Sequence, residues 1–387
     1  MTVMTVTFTL LTIFGLWRPI HWRGYKSLFY NLYTGIVIFL CYSFTLSEFL
    51  DLLLISNSDM DNFANNAAVF LAMIAVCAKI AGILLNRNTL FIIQQLFENK
   101  PFKAEDDEDQ KIQQQCDHLI RFTALAFISI HEIGGAALSC SRIFADRQPG
   151  ELPFRAWLPY NYSSISVWYI STVQQIITVF ISGHIIAVFD LLYTGMMLLV
   201  CTQVKMLKHR FNVMLKDLEN AVKDTTSNPV KLKKIEQKLV AEWVKNHLAI
   251  LRLSDFMHCK FSKVVLIQYS VSAIIVCTTV YTMNNIPIAS VEFTGNLFYL
   301  FGETFEVFIE CVSANEATLE FADLNKALYN TNWFTLSNSA RESMIIIMSK
   351  AMKPVVFTCG YIIELSLDSF KSVSPKIHVI FIYYILY

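Results

Sequence analysis

Seven apolar segments, each long enough to cross a lipid bilayer, divide this sequence. A helix needs about 20 mainly apolar residues to cross the hydrocarbon core, and such segments lie at 28–50, 63–85, 119–144, 165–200, 261–283, 291–313 and 355–387. Hydrophobic residues make up 55% of the chain and charged residues 16%, and the mean hydropathy is +0.46. Soluble domains of this size are more polar. The sequence therefore predicts an all-α integral membrane protein with seven transmembrane helices.

The distribution of Lys and Arg predicts how the helices are oriented. The connection 201–260 contains twelve of these residues, whereas the connections 51–62 and 284–290 contain none. Cytoplasmic loops are enriched in Lys and Arg, so the N-terminus is predicted to be cytoplasmic and the C-terminus extracellular. Asn161, in the only N-x-S/T sequon of the chain, then lies outside and is a glycosylation candidate. The net charge of zero gives no electrostatic reason to expect a nucleic-acid partner.

These boundaries predict six segments. They are a cytoplasmic N-terminal segment at 1–27, transmembrane helices one to four at 28–200, a cytoplasmic helical region at 201–260, transmembrane helices five and six at 261–315, a cytoplasmic anchor segment at 316–353 and transmembrane helix seven at 354–387. The fourth span is longer than a bilayer requires, so its end is predicted to project into the cytoplasm.

The basic region 201–260 has the pattern of two helices separated by a break at Thr-Thr-Ser-Asn-Pro, 225–229. After the break, apolar residues recur at roughly helical spacing, so one face requires burial. A solvated helical hairpin and a contact between subunits are the two interpretations, and the apolar face outside lipid favours the second. The residues on this face are Leu232, Ile235, Leu239, Trp243, Leu248 and Leu251.

No pattern in the sequence predicts catalysis, a metal or a cofactor. His131-Glu132 begins a His-Glu-Ile-Gly-Gly stretch that lacks the second His of a zinc protease motif. The nine cysteines lie mostly in or beside apolar segments, as small buried side chains do. The sequence therefore predicts that the protein is not an enzyme.

Ionisable residues inside predicted spans are candidates for function. Lys79 lies near the cytoplasmic end of the second span, where its side chain is predicted to reach the interface, and Asp190 is predicted to lie in the cytoplasmic extension of the fourth helix. Glu303, Glu306 and Glu310 share one face of the sixth helix, which must turn away from lipid. His131 and Glu132 either line a cavity or form a satisfied interior pair.

The region 298–370 contains a set of residues in a characteristic order. An apolar helix is followed by a polar turn, an amphipathic helix at about 339–352, a Lys-Pro pair, a Thr-x-Gly step and a Ser-Leu-x-x-Phe ending. With this pattern the chain resembles the insect odorant receptors, although Asn315 and Phe321 replace the small residues usual there. The matching residues are Cys311, Glu316, Glu320, Tyr329, Trp333, Lys353, Pro354, Thr358, Gly360, Ser366, Leu367 and Phe370.

The N-terminus supports the same resemblance. The stretch 10–19 is similar to the short cytoplasmic helix of that family, which ends in a Gly-x-Trp-x-Pro-like turn. The short second cytoplasmic loop is similar to that of the ligand-tuning receptors and not to that of the co-receptor, Orco. The resemblance implies an olfactory receptor of the plasma membrane of a sensory neuron dendrite. It also implies an odorant-gated, non-selective cation channel, formed as a tetramer with Orco.

The resemblance also implies where the functional residues lie. A small volatile organic ligand is expected in the outer half of the helical bundle, lined by Phe70, Met73, His131, Gly134, Leu138, Tyr169, Val173, Phe298 and Phe301. The subunit anchor is expected to contain Tyr329, Trp333, Lys353 and Pro354. The seventh helix, predicted to start near Val355, is expected to line the pore, with the gate near Tyr383 and Tyr387.

The segment 373–387 departs from the family pattern, in which small and polar residues line the pore. Pro375 interrupts it, since proline inside a helix costs about 3 kcal/mol, and Lys376 follows within an apolar stretch. Two interpretations stay open. The segment is a divergent pore helix, or it is translated from a retained intron or an incorrect gene model.

Three other protein classes are alternatives. A seven-helix G-protein-coupled receptor has the opposite orientation, and its usual motifs at the ends of helices three and seven are missing here. A gustatory receptor of the same fold carries a motif in helix seven that this sequence lacks. A transporter is less consistent with seven spans that show no internal repeat.

Overall fold

The structure, a computed structural model, describes residues 4–19, 22–54, 60–144, 151–224, 229–353 and 355–371. Within these ranges the fold is helical, as predicted. The helices are α1 (Thr5–Ile13), α2 (Tyr25–Leu54), α3 (Met60–Leu85), α4 (Arg87–Glu98), α5 (Asp107–Phe144), α6 (Ile165–Asp224), α7 (Pro229–Asn284), α8 (Val291–Tyr329) and α9 (Asn338–Ala351). A 3-10 turn, Trp333–Thr335, precedes α9, and strands β1 (Thr358–Cys359) and β2 (Ile363–Glu364) follow it.

Five helices in the described part of the chain are long and apolar enough to cross a membrane. The apolar stretches of spanning length lie within Tyr25–Leu54, Asn66–Leu85, Asp107–Ser141, Ile165–Lys223 and Val230–Asn284. Helix α8 has 39 residues but carries Glu303, Glu306 and Glu310, which lower its hydropathy. The protein is thus a multi-pass membrane protein.

Helix α6 is the centre of the bundle. It packs against α1, α2, α3, α5, α7 and α8, and every residue from Ile185 to Val204 is buried. A helix that is apolar on all sides belongs in the interior of a bundle. Helix α1 packs on it at Gly195, where the closest approach to an added Cβ is 3.1 Å, from the Met4 side chain.

The helix breaks follow local sequence signals. Helix α6 ends at Asp224 and α7 begins at Pro229, the first helical position that proline favours, while residues 225–228 of the predicted break lie outside the described residues. Ser290 caps the start of α8 and Ser337 caps the start of α9; each hydroxyl accepts a hydrogen bond from a backbone N–H three residues later, at 3.0 and 3.3 Å. Such capping supplies a partner for an otherwise unpaired donor.

Helix α4 was not predicted, because its 12 residues are too few for a span. Its buried residues Leu90, Ile93 and Phe97 nevertheless have helical spacing. In α7 the buried face contains Val240, Trp243 and Ile250, whereas the predicted Leu248 is 37% exposed. The predicted face is therefore rotated by about one position from the observed one.

The prediction of a helix starting near Val355 is wrong. Thr358–Cys359 pairs antiparallel with Ile363–Glu364, and Gly360 and Tyr361 in the connecting turn both have φ near +60°, a left-handed conformation that tight hairpin turns use. The hairpin is attached to α7, where Ser262 Oγ donates to Thr358 O at 2.9 Å and Gly360 N donates to Ser262 O at 3.1 Å. The length of the apolar segment that follows Lys353 predicts a helix, but these hydrogen bonds to α7 stabilise strands.

Helical backbone resumes only at residues 367–371, after Ser366 Oγ accepts from Ser369 N at 3.1 Å. Pro354, the segment 373–387, and the expected gate at Tyr383 and Tyr387 lie outside the described residues.

Candidate functional site

A cavity of about 310 Å³ lies between five helices of the bundle. Its walls come from α3 at 68–76, α5 at 131–139, α6 at 176–186, α7 at 279–282 and α8 at 296–306, and Phe154 covers part of it. Ligand sites of small molecules are typically concave and mostly apolar, with a few placed polar groups. The volume suits an organic molecule of about ten heavy atoms.

Glycines create part of this space. An added Cβ on Gly302 meets no atom within 4 Å, and the same is true of Gly135. On Gly134 an added Cβ lies 3.3 Å from the backbone oxygen of Phe298. Gly134 therefore allows α5 and α8 to approach each other, whereas Gly302 leaves open volume.

Five of the nine ligand residues expected from the sequence line this cavity: Met73, His131, Gly134, Leu138 and Phe298. The other four lie outside its lining. Tyr169, Val173 and Phe301 are 58%, 52% and 56% exposed on the outside of the bundle, where lipid would surround them. Phe70 stacks on Phe49, with ring centroids 5.6 Å apart. The nine expected residues lie on α3, α5, α6 and α8, which all border the cavity, but four of them are not part of its lining.

Below the cavity, four helices meet at one buried ammonium group. Lys79 Nζ lies 2.8 Å from Asp190 Oδ1 and 2.7 Å from Glu306 Oε1, and Gln268 Nε2 donates to Glu306 Oε1 at 2.6 Å. Lys79 is 1% exposed and Asp190 is 0% exposed. Buried charges persist when they are paired in this way.

Two predictions are corrected by this cluster. Lys79 does not extend to the membrane interface, and Asp190 does not lie in a solvated extension of α6, because the two side chains form an ion pair inside the bundle. Their separation in sequence, 111 residues, hid the pairing. The prediction for α8 is confirmed, since Glu303, Glu306 and Glu310 are all buried.

His131 and Glu132 both line the cavity. They do not pair with each other: Glu132 contacts His184 of α6, and the His131 ring stacks on Phe127 with centroids 6.1 Å apart. Of the two predicted interpretations, the placement agrees with a cavity lining.

Several lining residues were not predicted, among them Asn296, Tyr299, Gly302 and His184. Asn296 stands seven residues before Glu303, so the two share one helix face. This spacing was visible in the sequence and extends the polar face of α8 by two turns.

The expected anchor residues lie at the other end of the molecule. Tyr329 ends α8 and is 70% exposed, Trp333 is half-buried against the core, and Lys353 is exposed. Asn161 is exposed, and its side chain accepts from Ser163 N at 2.9 Å.

Asp106, Asp109 and His209 bring three possible metal-ligand atoms within 4.8 Å of one another. Arg210 already neutralises this group, since its guanidinium donates to Asp109 Oδ2 at 2.8 and 2.9 Å. The Asp109 backbone N–H and the His209 ring hold the pKa of Asp106 below its usual value. These contacts attach the loop before α5 to α6.

Comparison with known proteins agrees with this architecture. Odorant receptor 2a of Drosophila melanogaster is 24% identical over 375 residues, which cover 93% of this chain and 90% of that protein. Putative odorant receptor 19b of the same organism and Odorant receptor Or1 of Anopheles gambiae are each 23% identical. The chain spans 56% and 55% of the lengths of these two relatives.

The fold also matches a solved structure. The insect olfactory receptor OR5 from Machilis hrabei in complex with eugenol superposes with a TM-score of 0.83, covering 99% of this chain and 97% of that one at 16% identity. The family model described as 7tm Odorant receptor matches residues 59–374. The chain is therefore a member of the insect odorant receptor family, whose members are olfactory transmembrane receptors.

Proposed function

We propose that this chain is a ligand-tuning odorant receptor subunit. It binds a small volatile organic molecule in the cavity between α3, α5, α6, α7 and α8, and it gates a non-selective cation channel as a heteromer with the co-receptor Orco. The cavity is the observation that carries the proposal, because glycines of α5 and α8 leave an organic-sized space in an otherwise packed bundle. Five of the expected ligand residues line it: Met73, His131, Gly134, Leu138 and Phe298.

An apolar surface formed by the end of α8 and by α9 supports an interaction with other subunits. Tyr329, Ile345, Ile346 and Met352 are 70%, 55%, 70% and 70% exposed, in the region predicted to lie in the cytoplasm. Contiguous exposed apolar side chains outside lipid indicate an interface. Tyr329, Trp333, Lys353 and Pro354 are proposed to contribute to this anchor, and the seventh helix to line the pore.

The size of the ligand sets the expected affinity. About ten heavy atoms, at roughly 0.5–0.8 kcal/mol each, give about 5–8 kcal/mol, which corresponds to micromolar or weaker binding. Driving a channel from about 1:99 to 99:1 open needs roughly 5.5 kcal/mol of differential affinity. A ligand of this size is therefore expected to open the channel only partially.

The test is a whole-cell current recording with a panel of odorants. Cells expressing the chain with Orco should give odorant-evoked cation currents, while cells expressing the chain alone should give neither currents nor surface delivery. Cells expressing Orco alone are the second control, since any odorant response there does not come from this chain. Robust currents from the chain alone would contradict the proposed partnership.

A further inference from the structure

Helix α8 presents a line of polar side chains to the interior. Asn296, Glu303 and Glu310 are seven residues apart, so they return to the same face of the helix, about 10.5 Å apart along its axis. Glu306 lies on the flank of this line. Asn296, Glu303 and Glu306 line the cavity, and the apolar side chains of Val69, Met73 and Val179 also line it.

The acidic end of the cavity holds more carboxyl groups than cations. Lys79 pairs with Asp190 and Glu306, so its ammonium is already shared by two carboxyl groups. Glu303 is 8% exposed, and the side chains of Tyr299 and Ser272 are hydrogen-bonding neighbours of its carboxyl group. Within the described ranges, no Lys or Arg lies at ion-pair distance from Glu303, and none lines the cavity.

The opposite end of the cavity has a free donor. Asn296 is 4% exposed, and its Nδ2 has no hydrogen-bond partner among the residues that the structure describes. Buried polar groups are normally hydrogen-bonded, because leaving a donor unpaired away from water is costly. Since this amide lines the cavity, an acceptor atom of a bound ligand would satisfy it.

We propose that the cavity selects small organic amines, with the nitrogen bound at Glu303 and an ether or carbonyl oxygen at the far end bound by the Asn296 amide. This proposal rests on the proposed function, because it assumes that the cavity is the ligand site. Once the nitrogen is protonated, it is the cation that pairs with Glu303, and the chain between the two polar ends packs against the apolar wall.

The proton balance is compatible with a volatile ligand. An amine enters as the neutral free base, accepts the proton of the Glu303 carboxyl group and is then held as an ammonium beside a carboxylate. One proton moves from the Glu303 carboxyl group to the amine nitrogen, so the step needs no other reactant. Charge-assisted hydrogen bonds of this kind are about twice as strong as neutral ones.

The experiment compares methoxyhexylamine with two analogues, each of which differs from it by one heavy atom. Methoxyhexylamine carries both polar ends, methoxyheptane replaces its nitrogen by carbon, and octylamine replaces its oxygen by carbon. Dose–response currents are recorded from the chain with Orco, for wild type, Glu303→Gln, Glu303→Asp and Asn296→Leu. Glu292→Gln, on the same helix but outside the cavity lining, is the matched control.

Methoxyhexylamine is expected to be about 10- to 100-fold more potent than methoxyheptane on wild type, from the usual strength of a hydrogen bond to a charged group. Glu303→Gln should remove this preference, Glu303→Asp should keep part of it, and Glu292→Gln should keep all of it. Asn296→Leu should make methoxyhexylamine and octylamine equally potent. Equal or greater potency of methoxyheptane on wild type, or a preference that survives Glu303→Gln, would overturn the proposal.

The two proposals fail in different ways. If neutral probes evoke currents and amines do not, the cavity is a ligand site but not an amine site. If no probe evokes a current, the same probes are compared by the thermal stabilisation of the purified chain, which does not require gating. In this assay, a larger rise of the thermal midpoint with methoxyhexylamine than with methoxyheptane supports the amine proposal. An equal or smaller rise overturns the amine proposal.

Discussion

Lys79 of α3 and Glu306 of α8 form an ion pair of 2.7 Å between side chains that are 1% and 4% exposed. Glu306 also lines the cavity, so the floor of the cavity is part of the charge cluster that joins α3, α6, α7 and α8. A shift of Glu306 would therefore disturb contacts in all four helices.

Replacing Lys79 by Met should destabilise the protein by about 3–5 kcal/mol, because it leaves Asp190 and Glu306 buried without their cation. The measurement is the thermal midpoint of the detergent-solubilised chain, together with its surface delivery when it is expressed with Orco. Lys263→Met, which removes an exposed cation of α7, is the matched control.

The triple variant Lys79→Met, Asp190→Asn, Glu306→Gln should recover part of the lost stability, since it removes the uncompensated charges as well. A Lys79→Met protein as stable as wild type would contradict the importance of this cluster.

The helices were predictable from sequence because a bilayer requires long apolar segments, and these are visible without any contact information. Partners across the bundle were not predictable. Lys79 and Asp190 have the same local sequence whether they face lipid, water or each other, and only packing brings them to 2.8 Å.

The hairpin at 358–364 and the inward faces of α6 and α8 illustrate the same limit. The run after Lys353 is apolar enough for a helix, but Gly360 lies at a positive φ and an added Cβ there would collide with Leu266. Val173 and Val179 are both apolar residues of α6, yet Val179 lines the cavity and Val173 does not. Hydrophobicity does not distinguish a face in contact with lipid from a face in contact with a ligand.

Trp333→Ala and Lys353→Ala should impair assembly or gating and leave the ranking of ligands unchanged, because both residues lie far from the cavity. Assembly with Orco is measured by co-purification, and ligand ranking by relative half-maximal concentrations. Phe39→Ala, which removes an aromatic ring that is 68% exposed on α2, should affect neither. A change in ligand ranking with normal assembly would contradict the assignment of Trp333 and Lys353 to the subunit anchor.

His247 should make stability depend on pH. Burial beside Trp243, with ring centroids 5.3 Å apart, and the charge of Lys350 lower the pKa of His247 from 6.5 to about 4. The folded state therefore favours the neutral ring, and its contribution is complete above pH 6.5 and is lost as the pH falls from 6.5 towards 4. The loss is at most about 3 kcal/mol.

The thermal midpoint should fall more between pH 7.5 and 5 for wild type than for His247→Asn, which has no ionisable group there. His118→Asn, at an exposed position of α5, should behave as wild type. Equal pH dependence of wild type and His247→Asn would show that another group controls this behaviour.

The segment 373–387 leaves its two interpretations open, and sequencing the transcript across Ser372 distinguishes them. If a retained intron is present, the spliced message should lack the codons for 373–387. A spliced message that encodes these residues, in a subunit that conducts, would establish a divergent pore helix.

The most direct test of the ligand site is the current evoked from Gly302→Phe expressed with Orco. Gly302 lines the cavity and has no atom within 4 Å of an added Cβ, so a phenyl ring fits there only by occupying the ligand space. Gly35→Phe, at a similarly open position of α2 outside the lining, is the matched control. At equal surface density, Gly302→Phe should lower the sensitivity to odorants at least about tenfold, as a loss of roughly 1.4 kcal/mol implies, while Gly35→Phe responds as wild type. An unchanged dose–response curve and ligand ranking in Gly302→Phe would contradict the assignment of this cavity as the odorant site.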